Sequence, residues 1–208
     1  SAHVIYEGRS EGLKRVGFPE DLRIEDFRIF THGFDIMCNH TLVYKDKPND
    51  RHIACGLSKI NGSEIEFWEV PKLPIKTGKM EKNWVYFSDG HIYLVYSVNP
   101  YILFRYQKEW WAKCEVESPE LDWFHKGEYL CNSTNPILVG DHYLMFAHTK
   151  QAMRFFQMAL LIDKNTKEIT HYTRNSIPLR NISTDGIHKG LIYLSGSVVM
   201  GDKLRLLF

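Results

Sequence analysis

The chain is a succession of short runs of β-branched and aromatic residues, separated by turns in which Gly and Asp are adjacent. Three such turns, Asp89-Gly90, Gly140-Asp141 and Gly201-Asp202, come directly before apolar runs. Adjacent Gly and Asp between two apolar runs are typical of β-hairpins, because these residues tolerate the backbone angles of tight turns. No stretch of about 12 or more residues has the apolar spacing of an amphipathic helix. The sequence therefore predicts an all-β protein.

The order of strands and turns recurs about every 50 to 60 residues, which is the length of a propeller blade. We therefore predict a single β-propeller domain, or a fragment of one. Its repeat units span about residues 24–70, 83–124, 132–173 and 181–208. A β-sandwich is the alternative fold, since it has the same short strands and turns without needing a repeat.

The count of units predicts that the propeller is incomplete in this chain. The fourth unit begins near Asn181, and the sequence ends within a strand at Phe208. The run His3–Tyr6 at the other end is too short to complete that unit. An unclosed propeller leaves a strand edge without a partner. We therefore expect a second chain or a neighbouring domain to complete the fold.

Composition and motifs argue against several classes of partner and cofactor. The 26 basic and 25 acidic residues are interleaved and give a net charge of +1, so we expect no nucleic-acid partner. Apolar runs reach about five residues, far short of a membrane span. The four cysteines lack metal-binding spacing, which predicts no metal site and leaves disulfides and free thiols both open. No dinucleotide or phosphate-loop motif is present, so we expect no cofactor.

The compartment is indicated by Asn-x-Ser/Thr sequons at Asn39, Asn61, Asn132 and Asn181, where about one is expected by chance. This excess favours a secretory or extracellular route. Turns of β proteins are also rich in Asn, Ser and Thr, so a cytoplasmic location stays open.

Candidate site residues stand near the openings of the units, because inner-strand ends of a propeller converge on its central channel. Asp26 and Arg28 are two residues apart, which places both on one face of a regular strand and suits protonating or orienting a sugar hydroxyl beside a charged partner. A surface ion pair is the alternative. His148 follows an apolar strand and can bond a hydroxyl or a phosphate, or serve a structural role. Trp84 and Arg154 offer a stacking face and a charged donor for a sugar, although aromatic residues also build cores.

These segments resemble the propellers of glycoside hydrolase family 130, the mannoside phosphorylases and mannosidases, and similar propellers associated with glycosyltransferases. Residues 25–30 resemble E-D-P-R-[IVL]-F, with Phe27 in place of proline. Residues 81–100 resemble the K-N-W-x-x-F…Y-x-x-x-P block of the transferase-associated group. Residues 133–148 resemble G-[GS]-T-P…Y-L-x-x-x-H with Asn135 inserted, and residues 196–208 are similar to the strand pair that follows.

The resemblance implies a five-bladed propeller of the glycosidase type whose ligand is a glycan or a sugar phosphate. By the family pattern, Asp26 is the general acid. The implied substrate-binding residues are Arg28, Lys82, Asn83, Trp84, Tyr96, Thr134, His148 and Arg154. Of these, Lys82, His148 and Arg154 are the candidates to hold inorganic phosphate.

The resulting hypothesis is a carbohydrate-active propeller that cleaves mannoside-like glycans at its channel mouth. Phosphorolysis would use phosphate as the nucleophile, and hydrolysis would use water. The alternatives are a glycosyltransferase of the same lineage, which uses a sugar donor, and a non-catalytic module for glycan binding or assembly whose altered motifs record lost chemistry.

Overall fold

The computed structural model describes residues 14–18, 22–44, 52–123, 129–151, 154–177 and 194–207. Within these ranges the regular elements are all strands, which confirms the all-β prediction. None of the described segments forms a helix able to cross a membrane. The predicted strand at His3–Tyr6 and the sequon at Asn181 lie outside the described residues.

The first sheet has five strands in the order β1-β5-β4-β3-β2. They are β1 (Lys14–Val16), β2 (Arg23–His32), β3 (Asp35–Tyr44), β4 (His52–Asn61) and β5 (Glu64–Glu69). The strands β2 to β5 form an antiparallel meander, and β1 lies parallel to β5. The strand β2 therefore forms one edge of the described sheet.

Three further sheets follow along the chain. The second contains β6 (Val85–Ser88), β7 (Ile92–Val98), β8 (Tyr101–Gln107) and β9 (Trp110–Lys113) in chain order. The third contains β10 (Cys131–Asn132), β11 (Ile137–Val139), β12 (His142–Gln151), β13 (Arg154–Asp163) and β14 (Ile169–Tyr172), with β10 and β11 both beside β12. A hairpin of β15 (Gly196–Met200) and β16 (Lys203–Leu207) comes last. That these sheets are blades of one domain stays a prediction.

The predicted hairpin turns join the expected strands. Gly140 connects β11 to β12 with φ of 59°, and Gly201 connects β15 to β16 with φ of 63°. A side chain at this φ is strained, so glycine is favoured there. Local turn chemistry thus predicted where these strands begin.

The chain divides into two compact units, residues 1–94 with 103–114, and residues 95–102 with 115–208. Both units have apolar interiors. Fully buried side chains include Tyr86, Phe87 and Phe104 in the first unit, and Met145, Met158 and Leu160 in the second. Each of the Phe, Met and Leu side chains among them contributes about 1.5–3 kcal/mol when it leaves water.

A glycine in β4 makes room for a buried histidine in β3 of the first unit. His40 and Gly56 lie directly opposite each other in the register. A Cβ atom on Gly56 would lie 2.4 Å from His40 Cε1 and 3.0 Å from Leu42 Cδ1. The imidazole therefore occupies the space that any larger residue at position 56 would need.

We expect Gly56→Ala to destabilise the protein by about 1–3 kcal/mol through overpacking. His40→Ala removes the ring, so the double variant should lose at least about 1 kcal/mol less than the sum of the two single variants. Denaturant unfolding of the four proteins measures this coupling. Additive losses would show that the imidazole is not what excludes a side chain at Gly56.

Candidate functional site

A β-bulge in β2 presents the predicted general acid. Pairing between β2 and β3 is regular as far as Glu25 and resumes at Arg28. Between these positions, Asp26 and Phe27 lie opposite the single residue His40. Bulges bend a strand and re-aim side chains, and they are frequent beside active sites.

The backbone at Asp26 corrects one expectation from the sequence. Asp26 has φ of 56°, in the left-handed region that Asp tolerates better than most residues. Strict alternation of side chains stops at the bulge, so the two-residue spacing does not place Asp26 and Arg28 on one face of a regular strand. Asp26 is instead exposed, and Arg28 is buried with 4% exposure.

The guanidinium of Arg28 connects the bulge to a second unusual backbone position. Its Nη1 donates to the backbone oxygen of Asp26 at 3.2 Å, and its Nη2 donates to Asn83 Oδ1 at 3.5 Å. Asn83 also has a positive φ, of 61°. The carboxylate of Asp26 accepts a hydrogen bond from Thr41 Oγ1 at 3.3 Å. The buried side chain of Arg28 thus supports the backbone of the bulge, and Thr41 orients the carboxylate of Asp26.

Trp84 anchors the segment that carries Asn83. Asn39 Nδ2 donates to the backbone oxygen of Trp84 at 2.9 Å, and Trp84 Nε1 donates to Glu81 Oε2 at 3.2 Å. The indole is 3% exposed and packs in the interior of the first unit. This corrects the expectation that Trp84 offers an open stacking face to a sugar, because its faces are covered by protein.

The cysteines of the described chain are free thiols, which decides the question that the sequence left open. Burial raises the pKa of both Cys38 and Cys55 to about 12, although the charge of Arg28 acts to lower both values. Neither is a thiolate nucleophile near neutral pH. Within the described residues, no group of three or more His, Cys, Asp or Glu side chains is placed to hold a metal ion.

A buried polar cluster in the second unit contains His148 and Thr134. His148 Nδ1 lies 2.8 Å from Ser133 Oγ, and Ser133 Oγ donates to Gln157 Oε1 at 3.3 Å. Thr134 Oγ1 accepts a hydrogen bond from the backbone N–H of Phe146 at 3.0 Å. Thr134 and His148 are both buried, so these contacts give them structural roles within the third sheet. Their roles in substrate binding stay predictions.

Three predicted site residues remain to be located, namely Lys82, Tyr96 and Arg154. Lys82 is exposed in the segment before β6, and Tyr96 is half-buried on β7. Arg154 begins β13, and its side chain is outside the described part of the structure. The first unit holds Asp26, Arg28, Lys82, Asn83 and Trp84, and the second holds Tyr96, Thr134, His148 and Arg154. The structure brings Asp26, Arg28 and Asn83 together within the first unit.

Sequence reasoning missed the polar residues of β3 that support the bulge. Asn39, His40 and Thr41 are consecutive, and all three are buried. A polar triplet inside an otherwise apolar strand was the available signal, since buried polar groups need hydrogen-bond partners.

The sequons lose most of their value as glycosylation signals. Asn39 and Asn132 are both buried, and their Nδ2 atoms donate to backbone oxygens, of Trp84 and Val95 respectively. A glycan attached to either of these buried Nδ2 atoms could not fit in the interior. Asn61 is exposed at the turn between β4 and β5, so among the described sequons it alone is open to modification.

His40 is a buried, neutral imidazole next to the bulge. Its Nε2 lies 2.7 Å from Ser58 Oγ, and its Nδ1 has no hydrogen-bond partner among the described residues. The ring packs against Phe18 and Phe27, with ring centroids 5.5 and 5.7 Å away. Burial, together with the charge of Arg15, lowers the pKa of His40 to about 3.

Solved structures of known proteins are similar in fold to this chain. No protein-family model matches the chain, and neither does any curated protein. Among solved structures, it is similar to the β-1,2-mannobiose phosphorylase from Listeria innocua in complex with β-1,2-mannobiose. The identity is 16% and the TM-score 0.64, and the match covers 88% of this chain and 54% of that one.

A second similar structure comes from the GH130 mannoside phosphorylase family, described with the glycoside hydrolases that target β-1,2-mannosidic linkages in Candida mannan. Its identity is 14% and its TM-score 0.60, and the match covers 88% of this chain and 61% of that one. The chain thus shares its fold with these family 130 structures, and the propeller-type all-β fold is confirmed. It spans less than two thirds of the length of both structures.

The depressed pKa of His40 predicts a loss of stability in acid. Between its ordinary value of 6.5 and about 3, the unfolded chain binds a proton at His40 that the folded chain does not. Stability from this group is therefore complete above pH 6.5 and falls as the pH decreases, by up to about 1.4 kcal/mol per pH unit.

His40→Gln keeps a hydrogen-bonding group for Ser58 and cannot be protonated in this range. Urea unfolding between pH 7 and about pH 4 should give a shallower loss of stability for this variant than for the wild-type protein. Equal pH dependence in the two proteins would show that His40 does not titrate as described.

Proposed function

We propose that the chain belongs to a carbohydrate-active propeller that cleaves mannoside-like glycans, with Asp26 as the general acid. One observation carries the proposal. The exposed carboxylate of Asp26 lies on a β-bulge and accepts a hydrogen bond from Thr41. Arg28 donates a hydrogen bond to the backbone of this bulge. The structural relation to family 130 supports a glycan as the ligand.

The proposed chemistry needs one proton donor and one nucleophile. The carboxyl group of Asp26 gives its proton to the glycosidic oxygen, directly or through a sugar hydroxyl, as the bond from the anomeric carbon to that oxygen breaks. The nucleophile then forms a new bond to the anomeric carbon. With inorganic phosphate the product is a sugar 1-phosphate, and with water it is the free sugar.

Arg28 acts in this scheme as a positioning residue. The family resemblance implies that it binds the sugar or an anion, whereas its observed contacts are with the backbone of Asp26 and the side chain of Asn83. A buried guanidinium needs acceptors around it, and these two oxygens belong to Asp26 and Asn83, which both have a positive φ. Arg28 therefore supports the shape of the site from within.

A phosphate, if it is the nucleophile, needs cations at the mouth of the site. Lys82 is the exposed candidate, and it immediately precedes Asn83, which Arg28 contacts. The resemblance also implies His148 and Arg154, which belong to the second unit, and their part in phosphate binding stays a prediction.

A non-catalytic glycan-binding or assembly module is the second candidate. It is favoured by the burial of Trp84, Thr134 and His148, three residues that the resemblance assigns to substrate. Phe27 replaces the proline of the family motif and packs against His40, so the bulge also departs from the pattern. A glycosyltransferase of the same lineage rests on the transferase-type block at residues 81–100 and on the secretory-looking sequons, two of which, at Asn39 and Asn132, are buried.

Asp26→Asn tests the general acid. The amide keeps the shape of the carboxylate but has no proton to transfer, so turnover of β-1,2-mannobiose should fall by at least about 100-fold with little change in stability. Asp35→Asn is the matched control, because this half-exposed carboxylate takes part in a surface ion pair with Lys59. Its turnover should stay at the wild-type level.

Turnover retained by Asp26→Asn would exclude Asp26 as the acid. Wild-type protein that binds mannosides without turnover would favour the binding module.

Lys82→Ala tests the choice of nucleophile. If phosphate is used, mannose 1-phosphate should form only when phosphate is present, and the variant should show a raised KM for phosphate with an unchanged KM for the disaccharide. Added salt should weaken phosphate binding in the wild-type protein, since Lys82 is exposed. Release of free mannose at the same rate without phosphate would establish hydrolysis instead.

A further inference from the structure

A group of aromatic side chains with one carboxylate lies on the first unit, away from Asp26. We call Trp68, Glu69, Tyr106 and Trp111 the Trp68 patch. The Trp68 ring is 40% exposed and meets the ring of Tyr106 edge-on, with centroids 5.4 Å apart. Tyr106 in turn packs against Trp111 at 5.2 Å. The patch therefore joins a partly exposed indole to a half-buried phenol and a buried indole.

A second β-bulge builds this patch. Ser58 of β4 pairs with Phe67 of β5, while the preceding residue Leu57 pairs with Glu69, so Trp68 is the extra residue. Successive side chains of a regular strand point to opposite faces. Here the consecutive residues Trp68 and Glu69 both contact the β8–β9 hairpin, because the bulge interrupts the alternation.

In the Trp68 patch, a hydrogen bond orients the carboxylate of Glu69, and two oxygen atoms are available to bond a ligand. Trp111 Nε1 donates to Glu69 Oε1 at 2.8 Å and fixes the carboxylate. In the part of the chain that the structure describes, Glu69 Oε2 and the hydroxyl of Tyr106 have no hydrogen-bond partner. Burial raises the pKa of Glu69 and of Tyr106, and the nearby charges of Glu69 and Glu109 raise that of Tyr106 further.

We propose that the Trp68 patch binds a pyranose unit of a neutral oligosaccharide. The flat C–H face of the sugar lies on the exposed indole of Trp68, which supplies apolar contact to a rigid ring. Sugar hydroxyls donate to Glu69 Oε2 and bond to the hydroxyl of Tyr106, in the manner of a few converging polar groups in an apolar site. The carboxylates of Glu69 and Glu109 select against acidic sugars and sugar phosphates, because like charges repel.

This site is separate from the one proposed at Asp26. In the first sheet, β3 and β4 lie between β2, which carries Asp26, and β5, which carries Trp68. Three strand spacings correspond to about 14 Å. The Trp68 patch would hold a glycan chain on the protein surface, and its proposal does not depend on whether Asp26 is catalytic.

The test is affinity electrophoresis of the whole chain in gels containing mannan, laminarin, xylan or galactan. We expect wild-type mobility to be retarded by at least one of these neutral polysaccharides. Trp68→Ala should weaken that binding about tenfold or more, since it removes the exposed ring. Trp110→Ala is the matched control, because Trp110 is 57% exposed but pairs with Gln107, one position along from the Tyr106–Trp111 pair and so on the other face of the hairpin. It should bind as the wild-type protein does.

Two further variants separate sugar binding at the Trp68 patch from loss of folding and from binding at Asp26. Glu69→Gln keeps an acceptor for Trp111 and should weaken binding severalfold without loss of folding, which circular dichroism verifies. Asp26→Asn should retain polysaccharide binding whether or not it changes turnover. Wild-type protein that binds none of the four polysaccharides, or equal losses in Trp68→Ala and Trp110→Ala, would overturn the proposal. Self-association that depends on Trp68, seen by sedimentation without polysaccharide binding, would overturn it in favour of a protein contact.

Discussion

The shape of the proposed site depends on the burial of one guanidinium. Arg28 is removed from water, and its charge requires acceptors within the fold. The carbonyl of Asp26 and the amide oxygen of Asn83 meet this need, and each belongs to a segment whose backbone adopts a positive φ. The two conformations are costly for residues with side chains, so they persist because the surrounding contacts determine them. Arg28 therefore supports the backbone that carries the carboxylate of Asp26, and its direct contact with a ligand stays a prediction.

The sequence predicted the strands best where the signal was local. The Gly-Asp turns at Gly140 and Gly201 determine their own backbone conformation, and the apolar runs after them became β12 and β16. The resemblance to the family 130 propellers, whose fold this chain shares, could be recognised because the segments around Asp26 and Trp84 have residue types of the family motifs. Neither prediction required knowing which residues far apart in the sequence are in contact in the fold.

The predictions that failed required such knowledge. Asp26 and Arg28 were expected on one strand face, but the bulge arises from pairing with β3 and from the packing of Phe27 on His40. Trp84 was expected to be open to a sugar, but Asn39, 45 residues earlier in the chain, bonds to its backbone and helps to place it in the interior. Side-chain burial and strand irregularities result from tertiary contacts, which local patterns do not contain.

The first sheet contains two interrupted strands, β2 and β5, which stand on either side of the regular pair β3 and β4. In each, one additional residue changes the direction of the neighbouring side chains without altering the order of the strands around it. Removal of that residue would restore the regular alternation of side chains between the two faces of the sheet and an uninterrupted pairing with the neighbouring strand. Insertion or loss of a single residue at either position would thus change which side chains face the proposed ligands while the order of strands in the sheet stays the same.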